Sequence, residues 1–91
     1  MNEIHEVMVT LTSTDGLHAR PAGALAKLAS QFQSKVELVF NGTSKNSKSI
    51  MSLMSLGLKG GESLIVKAEG ADSAQAVSAI QKLFETQFKE S

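Results

Sequence analysis

Apolar and polar residues alternate along some stretches of the chain and recur every three or four residues along others. Val7, Val9 and Leu11 alternate with Glu6, Met8, Thr10 and Thr12, which predicts a strand over 6–12 with one buried face. Ala22, Leu25, Leu28, Ala29 and Phe32 follow at helical spacing and predict an amphipathic helix over 22–32. Pro21 fits its first turn, where a missing N–H has no partner to lose and φ is already near helical. Val36, Leu38 and Phe40 form a second alternating strand, and Asn41-Gly42 comes directly after it. Asn-Gly is the strongest short hairpin signal, because both central residues of a type I′ turn need positive φ. Residues 43–46 should therefore return antiparallel, as a short polar strand suited to a sheet edge.

Ser49 to Gly57 reads as a short helix, with Ser49 as N-cap and Gly57 as its stop. Gly60-Gly61 turns the chain, and Leu64, Val66 and Ala68 alternate with Ser63, Ile65 and Lys67 in a fourth strand. Gly70-Ala71-Asp72-Ser73 opens a final helix capped by Asp72 or Ser73, with Val77, Ile80, Leu83, Phe84 and Phe88 along one face. The order β-α-β-β-α-β-α predicts the α+β class, with helices packed on one side of an antiparallel sheet. Ninety-one residues suffice for one domain with a single modest core, so 1–91 is expected to be one unit.

Composition narrows the chemistry. Nine basic and nine acidic residues cancel, which removes the electrostatic footprint of a nucleic-acid binder. The absence of cysteine excludes disulfides, zinc–thiolate sites and cysteine nucleophiles. Four phenylalanines are the only aromatics, too few for a stacking platform. The first residues contain no apolar signal region and no run approaches a membrane span, so a cytoplasmic protein without membrane insertion is expected.

What remains is the stretch Gly16-Leu17-His18-Ala19-Arg20-Pro21, at a strand-to-helix corner. Free backbone N–H groups and the positive end of the helix dipole make such a corner a natural seat for an anion. Imidazole, with an unperturbed pKa of about 6.5, has a free nucleophilic nitrogen at neutral pH. Its phosphorylated form carries a labile P–N bond, suited to passing a phosphoryl group on. Arg20 could neutralise phosphate oxygens and the first helical N–H groups could bind them. The same residues also fit a surface histidine in a turn. His5, near the terminus, has no evident partner and reads as inert, and no metal site is expected. Ser49 fits a structural N-cap and equally a phosphorylation site, since a helix N-terminus tolerates negative charge. Ile50, Met51, Leu53, Met54 and Leu56 are too many apolar residues for one face of two turns. Leu53 and Leu56 are the expected core positions, leaving Ile50, Met51 and Met54 for a surface that could dock partners.

These residues resemble the HPr family, the histidine-containing phosphocarriers of the bacterial phosphoenolpyruvate-dependent sugar phosphotransferase system. Gly16-Leu17-His18-Ala19-Arg20-Pro21-Ala22 is similar to its active-site motif, and Lys48-Ser49-Ile50-Met51 through Met54-Ser55-Leu56-Gly57 to its regulatory motif. The resemblance runs over essentially the whole chain. It implies an open-faced β-sandwich, four antiparallel strands in order 1-4-2-3 with three helices on one face. It implies that His18 takes phosphate on Nδ1 from phosphorylated enzyme I and gives it to enzyme IIA domains of sugar permeases. Arg20 and the Ala19 backbone would assist at the phosphate, and no cofactor is needed. It further implies that Ser49 is phosphorylated by an HPr kinase/phosphorylase, the modified form binding a LacI-type catabolite-control repressor. Leu17, Ile50, Met51 and Met54 would dock partners. Ser52 stands where Gram-positive members usually have glycine. On this reading the protein is a stoichiometric carrier and not an enzyme. A purely regulatory binding module acting through Ser49 is the rival, and the presence of His18 argues against it.

Overall fold

The computed structural model describes residues 3–13 and 15–88. Its elements are β1 (Ile4–Thr10), α1 (Ala19–Ala29), β2 (Lys35–Phe40), β3 (Thr43–Asn46), α2 (Ile50–Met54), β4 (Ser63–Glu69) and α3 (Ser73–Glu85), in the order expected from the patterning. The strands form one antiparallel sheet in the order β1-β4-β2-β3. The polar strand β3 lies at an edge, as its composition predicts, and Asn41 and Gly42 both adopt positive φ (52° and 79°) in the turn before it.

Register follows from the alternation. Val66 on the central strand β4 stands between Val7 of β1 and Leu38 of β2, and Ala68 stands between His5 and Val36. Leu64, Val66 and Ala68 are buried, while Ser63 is exposed and Ile65, Lys67 and Glu69 are only partly covered on the other face. The helices pack over the apolar side. Leu25 of α1, Leu53 of α2 and Ile80 and Phe84 of α3 close the core against it. Each such fully buried side chain is worth roughly 1.5–3 kcal/mol relative to exposure.

Several expectations shift, among them the short helix expected over 49–57, which spans Ile50–Met54. The first strand begins and ends two residues earlier than its pattern suggested. Leu11 has left the ladder, with its N–H on the Glu62 carbonyl (2.9 Å) although its side chain stays buried. Helix α1 begins at Ala19, three residues before the periodic run, and ends at Ala29. Periodicity cannot register a first turn made of exposed Ala19 and Arg20. The run to Phe32 reflects single-turn hydrogen bonds from Gln31 and Phe32 back to Leu28 and Ala29.

Helix α3 stops at Glu85, and Phe88 belongs to a left-handed reversal in which Gln87 and Phe88 have φ of 58° and 64°. The Phe88 N–H bonds to the Leu83 carbonyl (2.9 Å), and its ring returns edge-on to Phe84 at 5.0 Å. His5 is not inert. It sits half-buried on the inner face of β1, with Nδ1 2.9 Å from Ser73 Oγ.

Asp72 occupies the N-cap position of α3, yet its side chain makes no cap hydrogen bond. The carboxylate accepts instead the N–H groups of Gln33 and Ser34 (both 2.9 Å) and the Ser34 hydroxyl, tying α3 to the chain between α1 and β2. The Ser34 hydroxyl, followed by the backbone donors, holds the carboxyl below its usual value of 3.8. Because the native pKa lies below the unfolded one, this stabilisation is present in full above the unfolded pKa and is lost as pH falls through the native value.

Asp72→Ala should therefore lower the urea midpoint at neutral pH, and the gap from wild type should narrow as pH falls below the usual carboxyl value of 3.8. Circular-dichroism melts across that range check it, and a gap independent of pH would remove the carboxylate from the explanation. Gly16, at φ +72°, has the Leu58 carbonyl oxygen 2.5 Å from where a Cβ would stand. Gly16→Ala should cost about 1–3 kcal/mol in chemical denaturation, since strained φ and a backbone clash coincide.

Candidate functional site

The site is built by anchoring the chain immediately before the histidine. The Gly16 N–H bonds to the Ser13 carbonyl (3.2 Å), and the Leu17 N–H bonds to the Leu58 carbonyl (3.1 Å). The Leu17 side chain is buried in the core at 5% exposure. Leu17 is thus an anchor and offers no docking surface, a correction to its assignment from the family motif. A leucine one residue before an exposed histidine secures the corner by burial.

His18 is itself the N-cap of α1, in extended conformation (φ −87°, ψ −171°), with an exposed side chain. Its Nδ1 accepts the Arg20 N–H at 3.4 Å. That acceptor role assigns the lone pair to Nδ1 and the ring proton to Nε2. The His18 carbonyl takes the Ala22 N–H (3.0 Å), and Pro21 has no N–H to offer. Of the first-turn donors, that of Arg20 is engaged by His18 Nδ1 and that of Ala19 is left at the open end of the helix. Pro21 therefore sits at the third helical position, where its missing N–H removes a donor that the helix would otherwise leave unsatisfied. His18 Nδ1, the N–H groups of the first turn and the positive end of the dipole converge on one exposed point.

Helix α2 lies alongside. Ser49 is its N-cap, as expected, and its Oγ accepts the Ser52 N–H at 3.2 Å. Leu53 is fully buried and Leu56 half-buried, whereas Ile50, Met51 and Met54 are 43%, 82% and 43% exposed. Ile50 Cδ1 comes within 3.9 Å of where a Cβ would stand on Gly23, one turn into α1. The exposed apolar residues of α2 therefore adjoin the helix that carries His18. Lys48 turns away, its Nζ donating to the Phe32 carbonyl at 2.8 Å.

Sequence reasoning missed an open groove of about 450 Å³ lined by Arg20, Gly23, Ala24, Lys27, Leu28 and Leu83. Its signal was available: Arg20, Gly23 or Ala24, and Lys27 recur at one-turn spacing along α1, whose only charged residues are basic. Among the described residues no three His, Asp or Glu side chains gather into a set that could hold a metal ion. Nor is any described helix long and apolar enough to cross a membrane.

Comparison with known proteins bears on this site directly. The family model described as the PTS HPr component phosphorylation site matches residues 5–86. The phosphocarrier protein HPr of Mycoplasma capricolum is 43% identical over 72 residues, 79% of this chain and 81% of that protein. The HPr of Mycoplasma pneumoniae is 41% identical over 81 residues, 88% of this chain and 92% of that protein. The crystal structure of HPr-C-His from Thermoanaerobacter tengcongensis superposes with a TM-score of 0.90 at 38% identity, covering 96% of this chain and 98% of the other. With an exposed histidine at a helix N-terminus, on a sheet ordered 1-4-2-3 and matched almost end to end, the chain belongs to the HPr family of phosphocarriers of the phosphotransferase system.

Proposed function

We propose that His18 Nδ1 carries the phosphoryl group, taken from phosphorylated enzyme I and passed to enzyme IIA domains of sugar permeases in the cytoplasm, with 1–91 acting as one domain. The observation that carries this reading is the Arg20 N–H on Nδ1, which orients that nitrogen at the helix terminus. In the transfer, the Arg20 N–H releases Nδ1, the freed lone pair attacks phosphorus, the P–N bond forms as the bond to the donor's leaving atom breaks, and the proton stays on Nε2. The phosphoryl oxygens then meet the Ala19 and Arg20 N–H groups, and the Arg20 guanidinium balances part of their charge. No covalent change remains on the carrier once the acceptor has taken the group, so the chain is a shuttle and not an enzyme.

Ser49 is the proposed regulatory position, modified by an HPr kinase/phosphorylase, the product recognised by a LacI-type repressor. A phosphate on the Ser49 hydroxyl would stand at the start of α2, next to Ile50 and Met51. Those two residues and Met54 supply the apolar part of the proposed docking face, with Arg20 and Lys27 as its charged margin.

Incubation with phosphoenolpyruvate and enzyme I should place one acid-labile, base-stable phosphoryl group on the wild-type chain and none on His18→Ala. Mass spectrometry at neutral and acidic pH reads this out, and equal labelling of the variant would assign the chemistry elsewhere. Ser49→Asp should slow transfer from enzyme I by adding negative charge beside the docking face, with the largest effect at low salt. A rate equal to wild type at low ionic strength would separate Ser49 from that face.

A further inference from the structure

We propose that Met51 and Met54 are oxidation sites, and that converting their thioethers to sulfoxides with peroxide disables the carrier reversibly. The inference rests on the reading that the exposed face of α2 docks the phosphoryl donor, and adds a modification to that face. The chain has no cysteine, tryptophan or tyrosine, so methionine is its most readily oxidised side chain. Of its four methionines, the three described are all exposed: Met8 at 65%, Met51 at 82% and Met54 at 43%. None is held in the core, where close packing would shield the sulfur. Their positions divide them. Met51 and Met54 lie on α2, whose first residue packs beside Gly23 of the His18-bearing helix. Met8 lies on β1, on the sheet face opposite the helices, paired across to Ile65. The molecule thus contains its own control.

In the reaction the sulfur lone pair attacks a peroxide oxygen and the O–O bond breaks. The sulfur is oxidised by two electrons to S=O, and hydrogen peroxide leaves as water. A flexible apolar side chain becomes a polar one with a strong acceptor. At Met51 that acceptor enters an interface otherwise lined by Ile50 and Met54, where desolvation without a donor weakens docking by roughly tenfold or more. The modification leaves His18 chemically intact, so reduction by methionine sulfoxide reductase restores the carrier.

The experiment titrates the full chain with hydrogen peroxide, follows each methionine by peptide mass spectrometry, and measures the rate of phosphoryl transfer from enzyme I at limiting carrier concentration. The rate should fall by roughly tenfold in step with sulfoxide at Met51 and Met54, recover after reductase, and show no dependence on sulfoxide at Met8. Met8→Leu should keep the wild-type sensitivity. Met51→Leu/Met54→Leu, whatever rate it starts from, should keep that rate after peroxide. Full oxidation at Met51 and Met54 with an unchanged rate overturns the proposal, as does equal loss in the double variant. Met51→Ala tests the underlying reading separately. If that variant also transfers at the wild-type rate, the docking face itself is misassigned. If it is slow while the sulfoxide is fast, only the oxidation proposal fails.

Discussion

The contact of the strand-to-helix corner with the carbonyl of Leu58 is the constraint on which the site depends. Gly16 brings its backbone so close to that oxygen that no side chain fits, and the next residue donates its N–H to it. Leu58 is itself buried, on the segment that leaves α2 for the central strand β4. One carbonyl therefore holds both the approach to His18 and the exit from α2. With Leu17 sunk in the core, the backbone entering His18 has little freedom, and His18 takes the extended conformation that a capping residue requires. A held backbone combines with exposure at the ring: the imidazole is fixed in direction but open to solvent.

Much of this was legible in the residues. The alternation in Val36–Phe40 and Leu64–Ala68, the Asn41-Gly42 turn and the capping Ser49 each depend on local geometry that survives into the fold unchanged. What was not legible involves partners distant in sequence. Asp72 looked like a cap because aspartate before a helix usually is one. It is drawn off by Gln33 and Ser34, nearly forty residues away, and only the tertiary fold puts three donors within its reach. His5 looked solitary for the same reason, since Ser73 meets it only once β1 and α3 are packed. Leu17 resembled a docking residue by its place in the motif. Its burial depends on a hydrogen bond to Leu58, more than forty positions along, which no local pattern encodes.

The site itself divides in the same way. His18, Arg20 and Pro21 are neighbours in sequence, and their chemistry could be read together from their spacing. That His18 is the cap, with the helix starting at Ala19, could not. Helical periodicity reports buried faces, and the first turn of α1 has only exposed residues until Pro21. The difference matters, because a histidine at the cap position aims a ring nitrogen along the direction in which a serine or aspartate cap would aim its oxygen. The geometry of a helix cap here orients an imidazole.

The same geometry explains why a carrier needs so shallow a site. A phosphoryl group that must leave as readily as it arrives is poorly served by a closed pocket with many donors, which would hold it in its ground state. Here the phosphate would meet two backbone N–H groups, a helix dipole and one flexible guanidinium, all at the surface, with Pro21 denying it a third backbone donor. On the proposed reading, the remaining stabilisation would come from the partner that covers the histidine, through the face around it. That face combines basic α1 residues with the apolar residues of α2, although the chain as a whole is neutral. Arg20 and Lys27 are the only charged residues of α1, so its exposed side carries positive charge within a chain of zero net charge.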